Sequence, residues 1–219
     1  KRTYYTGDLN NQNVVVVYSR IGKVAAATTV STLILEFKIT ELIFTGVAGA
    51  IHPSVKIGDI VLGKSLIQHD MNAQPLFPIY EIPLLGKAYF ETNEEEIEKA
   101  TTAILELLEQ QYLHNVISDK DLNKFNIHSP QLHVGLIGSG DSFFSTNLQK
   151  ETLQKNLPEV LCVEMEGAAV AQVCDEFEIP FTIIRTISDD ADDHSTVDFN
   201  SFIAKISNVY SIEIIKNLL

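Results

Sequence analysis

The chain has 219 residues, 45% of them hydrophobic and 21% charged, an ordinary balance for a globular fold with material for a sizeable core. Acids outnumber bases 29 to 16, giving a formal charge of -13, and there is no basic run or arginine-rich stripe, which argues against nucleic acid or an anionic membrane surface as a partner. No N-x-S/T sequon, signal peptide or apolar run approaching ~18 residues is present, and Cys162 and Cys174 fit neither a redox nor a zinc spacing, so the expected setting is a reducing cytoplasm.

In chain order, Asn10-Asn11-Gln12-Asn13 reads as a turn between strands Arg2–Thr6 and Val14–Tyr18. Residues 19–37 switch to helical spacing, with Val24, Ala27, Thr28, Ser31, Ile34 and Leu35 forming a small-residue packing face. "ELIFTGVAGAI" is a short apolar strand ending in Gly46 and Gly49, and "KIGDIVLGKSLIQHD" is a second strand. The proline-rich segment Asp70–Phe90 reads as an irregular loop. Next comes one long helix over "ETNEEEIEKATTAILELLEQQYL", with Leu105, Leu108 and Tyr112 on its apolar side, followed by a polar loop over residues 115–130. "QLHVGLIGSGDSFF" is a strand entering a glycine turn, with a helix from Asn147 to Asn156. "EVLCVEMEGAAVAQVCDEF" is a strand then a helix, "IPFTIIRTISDDAD" is a strand ending in acids, and Asp198–Leu219 is a final helix. Strands alternating with helices predict an α/β fold: a single domain with a central, mixed and mostly parallel β-sheet flanked by α-helices.

Ligands of such sheets bind beyond the carboxyl ends of strands. Four ends here carry unusual residues: Thr45–Gly49, Gly138–Phe144, Glu164–Glu166 and Arg185–Asp193. "TGVAGAI" serves tight strand–helix packing or close approach to a ligand, and it has neither dinucleotide nor P-loop spacing. Phe143 and Phe144 are either core or a stacking face for a flat heterocycle. Glu164 and Glu166 either complement a helix dipole or face a ligand. Asp189, Asp190, Asp192, Asp193 and His194 cap a turn, hold a metal, or supply a general acid at Asp189; the spacing fits no zinc or EF-hand pattern, and no metal is expected. Arg185 lies on the same face as Asp189 if the strand stays extended.

"SRIGKVAAA", "FTGVAGAI", "KIGDIV", "GSGDSFF", "CVEMEGAAVAQVC" and "IPFTIIRTISDDAD" occur in the order and spacing of the bacterial 5'-methylthioadenosine/S-adenosylhomocysteine nucleosidases, of the nucleoside phosphorylase superfamily, which the chain resembles over nearly its whole length. The resemblance implies a nucleoside substrate whose N-glycosidic bond is hydrolysed without metal or organic cofactor, and a homodimer. It implies that Glu166 holds the ribose hydroxyls, that Met165 packs under the sugar, and that Asp189 protonates adenine N7 with support from Ser188 and Arg185. Phe143 becomes the adenine-stacking ring, the Phe144 backbone reads the purine edge, and Ile21 and Phe199 line the 5'-alkylthio pocket. Ala48 and Gly49 are implied as substrate contacts, while Glu164 takes a supporting or helix-capping part. The family's opening strand and Gly-Ala-Met-Glu-Glu-Glu-like segment, whose glutamate positions the water, have no counterpart in residues 1–219, so the resemblance implies a domain lacking that strand. Val47 also stands where the family has serine. Two alternatives remain open: a phosphorylase that transfers the ribosyl group to phosphate, and a nucleoside-binding protein without turnover.

Overall fold

Asn10 and Asn11 both adopt positive φ, 50° and 65°, which is what a two-residue hairpin turn of the twist-matching kind requires. They join β1 (Tyr4–Leu9) to β2 (Gln12–Val17), so the turn is two residues shorter than its four-residue asparagine-rich stretch implies, and β1 ends later and β2 begins earlier than expected. The computed structural model describes residues 2–191 and 198–219. Beyond the hairpin come α1 (Lys23–Phe37), β3 (Leu42–Ala50), β4 (Ile60–Gln68) and the short β5 (Tyr89–Glu91). They are followed by α2 (Glu94–Leu108), α3 (Gln110–Val116), α4 (Asp119–Lys124), β6 (Leu132–Ser139) and α5 (Asn147–Asn156). Then come β7 (Val160–Glu164), α6 (Gly167–Glu176) and β8 (Phe181–Asp189). The tail runs through α7 (Phe199–Phe202), a π-helical turn (Ile203–Ser207) and α8 (Asn208–Leu218).

Strand order in the main sheet is β5-β4-β6-β7-β3-β8, and β4 also pairs with β8, which closes the sheet into a barrel-like ring. The pairings β4–β6, β6–β7 and β3–β8 are parallel; β3–β7, β4–β8 and β4–β5 are antiparallel and shorter. The mixed, mostly parallel sheet expected from the alternation of elements is therefore present. Closure depends on β4: Ile60–Leu62 pair with β8, and Ser65–Ile67, beyond a register shift at Gly63, pair with β5.

Apolar residues pack in three clusters. One joins Ala26, Val30 and Leu33 of α1 and Ala168, Val170 and Cys174 of α6 to the sheet. A second puts α2, α3, α4 and α8 over Ile60, Leu62 and Ile184, and Val47 packs into its margin. The third places Leu153 of α5 and Leu157, just beyond its end, near Ile51, Ile67, Val160 and Phe144. Burial of apolar surface, worth roughly 25 cal/mol per Å², does most to hold these layers together.

β5 forms where the end of the irregular loop was expected, because Tyr89–Glu91 pair with the edge of β4, and four other local expectations change. The face of α1 that packs inward is Ala26, Thr29, Val30, Leu33 and Ile34, while Val24 and Leu35 of the expected packing face are exposed. Small and apolar residues recur on both faces of this helix, so periodicity could not say which one the sheet would take. On α2, whose acidic and apolar residues separate well, the buried face is Ala100, Ala103, Ile104 and Leu107; Leu108 and Tyr112 pack at its margin as expected, and Leu105 is exposed. The single long helix breaks at Glu109, whose ψ of 125° is not helical; the turn lets Leu113 of α3 join the second cluster. Within 115–130, expected as loop, Ser118 caps α4 by accepting the Asp121 N–H, a local helix start of the kind serine favours.

Candidate active site

Strand ends that are far apart in sequence meet at the end of β3. Gly49 is paired with Val163 of β7 on one side and Asp189 of β8 on the other, and Ser139 at the end of β6 is paired with Glu164. A register shift between Ala48 and Gly49 makes Ser188 the extra residue of a bulge in β8, which re-aims the strand where its acid sits. Three of the four expected strand ends thus converge through direct pairing, and the fourth, β6, joins them through β7.

The two glutamates of "VEME" take different parts. Glu164 is buried and its carboxylate is saturated. It accepts the N–H groups of Glu166 at 3.0 Å and Gly167 at 2.8 and 2.9 Å, the Arg185 guanidinium at 2.6 and 3.2 Å, and the Ser139 hydroxyl. Burial alone works against its charge, but Arg185, Ser139 and the Gly167 N–H overcome that, so its pKa lies below the ordinary value. Arg185 is 1% exposed; its remaining nitrogen donates to Ile184 and Phe44 carbonyls at 3.2 and 3.4 Å, and its guanidinium carbon lies 4.4 Å from the centre of the Phe44 ring. The expectation that Arg185 steadies Asp189 is therefore corrected: its fork closes on Glu164, because the bulge at Ser188 breaks the simple alternation that would align the two side chains.

Glu166 occupies the turn between β7 and α6, with φ −140° and ψ −40°, and is partly buried. One carboxylate oxygen accepts the Gly22 N–H at 2.9 Å. Burial and then the neighbouring Glu164 charge push its pKa above the ordinary value, with Arg185 and the Gly22 N–H opposing. Met165, between the two acids, is half-buried.

Asp189 is buried, accepting the Ser188 hydroxyl at 2.7 Å on one oxygen and the Ala191 N–H at 2.9 Å on the other. Gly49 leaves no room for a side chain: a Cβ there would lie 2.9 Å from the Asp189 carboxylate and 2.8 Å from Ala191 Cβ. The second glycine of "TGVAGAI" is thus explained by close approach to an acid, and Ala48 beside it is buried with its carbonyl 3.4 Å from the Ser188 hydroxyl.

The two phenylalanines also separate. Phe144 is core, its ring edge-on to His69 at 5.3 Å, whereas Phe143 is 50% exposed just past the end of β6. Ile21 is 69% exposed ahead of α1, and Phe199 is half-buried at the start of α7. Three groups that sequence reasoning did not single out also belong to this region: Ser139, Asp141 and the Gly22 N–H. Ser139 and Asp141 lie inside the "GSGD" stretch already noted for its glycines, and Gly22 signals itself through φ 95°. Asp192, Asp193 and His194 lie outside the described residues. Among the described residues no group of three or more His, Cys, Asp or Glu is placed to hold a metal ion.

The model of the phosphorylase superfamily matches residues 1–219. A 5'-methylthioadenosine/S-adenosylhomocysteine nucleosidase of Staphylococcus epidermidis is 35% identical over 203 residues, 92% of this chain and 79% of that protein. Among solved structures, the 5'-methylthioadenosine/S-adenosylhomocysteine nucleosidase of Neisseria meningitidis in complex with methylthio-immucillin-A superposes with a TM-score of 0.83 at 30% identity, over 100% of this chain and 85% of that one. The futalosine hydrolase of Helicobacter pylori superposes with a TM-score of 0.80 at 30% identity, over 99% of this chain and 84% of that one.

Proposed function

The chain belongs to the phosphorylase superfamily and, within it, to the 5'-methylthioadenosine/S-adenosylhomocysteine nucleosidases, and on that premise we propose that Glu166 and Asp189 cleave the N-glycosidic bond of these two nucleosides to release adenine. The observation that supports the residue assignment most is the double pairing of Gly49, which puts the strands leading to Glu166 and Asp189 on either side of one strand end.

As the C–N bond breaks, its electron pair goes to the purine and positive charge develops on the ribose. Asp189, protonated, donates its proton to adenine N7 and neutralises the leaving group. Glu166 accepts hydrogen bonds from the ribose hydroxyls and stabilises the oxocarbenium-like sugar, as a carboxylate does in glycoside hydrolysis. Water adds to the anomeric carbon and gives a proton to bulk solvent, leaving the sugar with the new hydroxyl and Asp189 to be reprotonated from solvent. Ser188 and the Ala191 N–H hold Asp189, Met165 packs under the sugar, Phe143 stacks on the base with the Phe144 backbone at its edge, Ala48 and Gly49 line the cleft, and Ile21 and Phe199 flank the 5' substituent.

Hydrolysis is favoured over transfer to phosphate because Arg185, one of three arginines in the chain, is committed to Glu164 and Arg2 gives one N–H to the Ala25 carbonyl at 2.8 Å; a phosphate site would have to rest on Arg20. Incubation with 5'-methylthioadenosine in phosphate-free buffer is expected to release adenine and free methylthioribose. Adenine release that requires phosphate makes the chain a phosphorylase, and tight binding of the nucleoside with no release makes it a binding protein.

Because only the ionised Glu166 can accept from both ribose hydroxyls and carry the charge that steadies the sugar, its raised pKa carries a second expectation. KM for 5'-methylthioadenosine should begin to climb while the pH is still above 4.5, the ordinary value of the group, and then rise about tenfold per pH unit. A KM that stays level down to pH 4 would remove Glu166 from ribose binding.

The reading includes a cytoplasmic homodimer. Two buried free cysteines fit a reducing compartment. No helix of the described residues is long and apolar enough to cross a membrane. The outward face of α1, with Val24 78% exposed beside Ala27, Thr28, Ser31 and Leu35, supports a second copy as its cover.

A further inference from the structure

Helix α1 begins without a cap of its own: Gly22 has no side chain, and no acid stands in the first turn. Its first two N–H groups are instead satisfied from other parts of the chain. Gly22 donates to Glu166, and Lys23, the next residue, donates to Asp141 at 3.0 Å. The carboxylate assigned to the ribose and the loop that carries the base-stacking ring are thus tied down one peptide unit apart. The Lys23 side chain reinforces the second tie, with its ammonium 2.6 Å from Asp70 and 3.7 Å from Asp141, and Asp70 in turn accepts the Asp141 N–H at 2.9 Å.

The rest of the loop is fixed at both ends. A Cβ on Gly140 would collide with His69 Nε2, so the chain runs hard against that imidazole, and Phe144 is buried with its ring edge-on to His69. With residues 140, 141 and 144 held, only Ser142 and Phe143 of this loop project without a tie of their own. A half-exposed aromatic ring on a short, anchored loop is a preset surface: it can stack on a flat base without first being ordered, and that ordering is what a mobile ring would subtract from affinity.

We propose that Asp141 is a positioning residue, which together with Lys23 and Asp70 sets the Phe143 ring in register with the Glu166 carboxylate. This rests on the reading that Phe143 stacks on adenine and Glu166 holds the ribose. Asp141 itself touches no reacting atom; it acts through Phe143.

The test uses the full chain and four variants, Asp141→Ala, Asp141→Asn, Phe143→Ala and the double variant Asp141→Ala/Phe143→Ala. Asp141→Ala is expected to raise KM for 5'-methylthioadenosine and the inhibition constant of adenine about tenfold, within the range set by base stacking, while kcat changes less than threefold. Asp141→Asn, whose amide oxygen still accepts the Lys23 N–H, should recover most of that loss. In the Phe143→Ala background, Asp141→Ala should add nothing further. Amide hydrogen exchange across residues 140–145 of the unliganded protein should accelerate in Asp141→Ala and stay near wild type in Asp141→Asn. A fall in kcat at constant KM, an undiminished effect in the Phe143→Ala background, or unchanged exchange in Asp141→Ala would each overturn the proposal. The exchange measurement needs no turnover, so it stands even if the wild-type chain releases no adenine, a result that would count against the proposed function instead.

Discussion

Asp189→Asn is expected to lower kcat for 5'-methylthioadenosine by a factor of about 10²–10⁴, the usual contribution of a positioned general acid, with KM little changed. The substitution preserves shape. The asparagine oxygen can take the Ala191 N–H that Asp189 now accepts, and the amide nitrogen can face the Ser188 hydroxyl, which turns from donor to acceptor. Packing against Gly49 is unchanged, because nothing has grown toward the 2.9 Å contact that excludes a Cβ there. What disappears is the acidic proton. The leaving purine must then depart as an anion, and the electrostatic benefit of Glu166 at the sugar cannot replace a proton at the base. Adenine release measured under saturating nucleoside checks this, and a kcat within tenfold of wild type would assign the acid to another residue.

Arg185→Met is expected to cost roughly 3–5 kcal/mol of folding stability at neutral pH, because it leaves the Glu164 carboxylate buried and charged without its partner. The sign of the pH dependence makes the test sharp. In the wild-type chain the pKa of Glu164 is lowered from 4.5, so its contribution is present above that value and is lost as the pH falls through the lower, folded value. In Arg185→Met, burial becomes the dominant influence and raises the pKa. The variant should therefore grow more stable on mild acidification, as Glu164 takes up a proton, while the wild type does not. Urea unfolding at pH 7 and pH 5 reads the difference. Replacing Glu164 with methionine as well should restore part of the loss, since a well-packed apolar pair can substitute for a buried ion pair. Equal losses at both pH values would mean that Arg185 contributes packing on Phe44 and little else.

The architecture was legible in the sequence wherever the local pattern admitted a single answer. The helix at Asn147–Asn156 has Thr146 as its cap and follows a glycine turn, and it lies where the pattern puts it. The order of the long strands is likewise as read, since near-continuous apolar runs such as "FTIIRTISD" suit a strand covered on both faces, whereas the short β5 and α4 lie where no strand or helix was expected. Apolar patterning failed where it was ambiguous. On α1 both faces are apolar or small, so the inward side is decided by what packs there.

The site divides in the same way. Asp189, Glu166 and Phe143 carry residue types that strand ends advertise, and the family motifs add their roles. What sequence could not give is which acid Arg185 serves. That depends on a one-residue bulge at Ser188, and a bulge has no spacing signature in "RTISDD". Nor could it show that Glu164 is saturated by donors from β6, β8 and its own turn. Asp141 was missed because its importance lies in a backbone partner 118 positions away.

The borrowed cap at the start of helix α1 also bears on how the molecule assembles. The amides of Gly22 and Lys23, which open the helix, find their acceptors 144 and 118 residues downstream, so local sequence cannot cap its first turn. Loop-closure entropy must be met before those bonds form, which places them late in folding, after the segments around Asp141 and Glu166 have docked. The start of α1 and the cleft beside it therefore mature in one step, and a nascent chain that has emerged from the ribosome only through residue 140 would carry a frayed helix and no cleft at all.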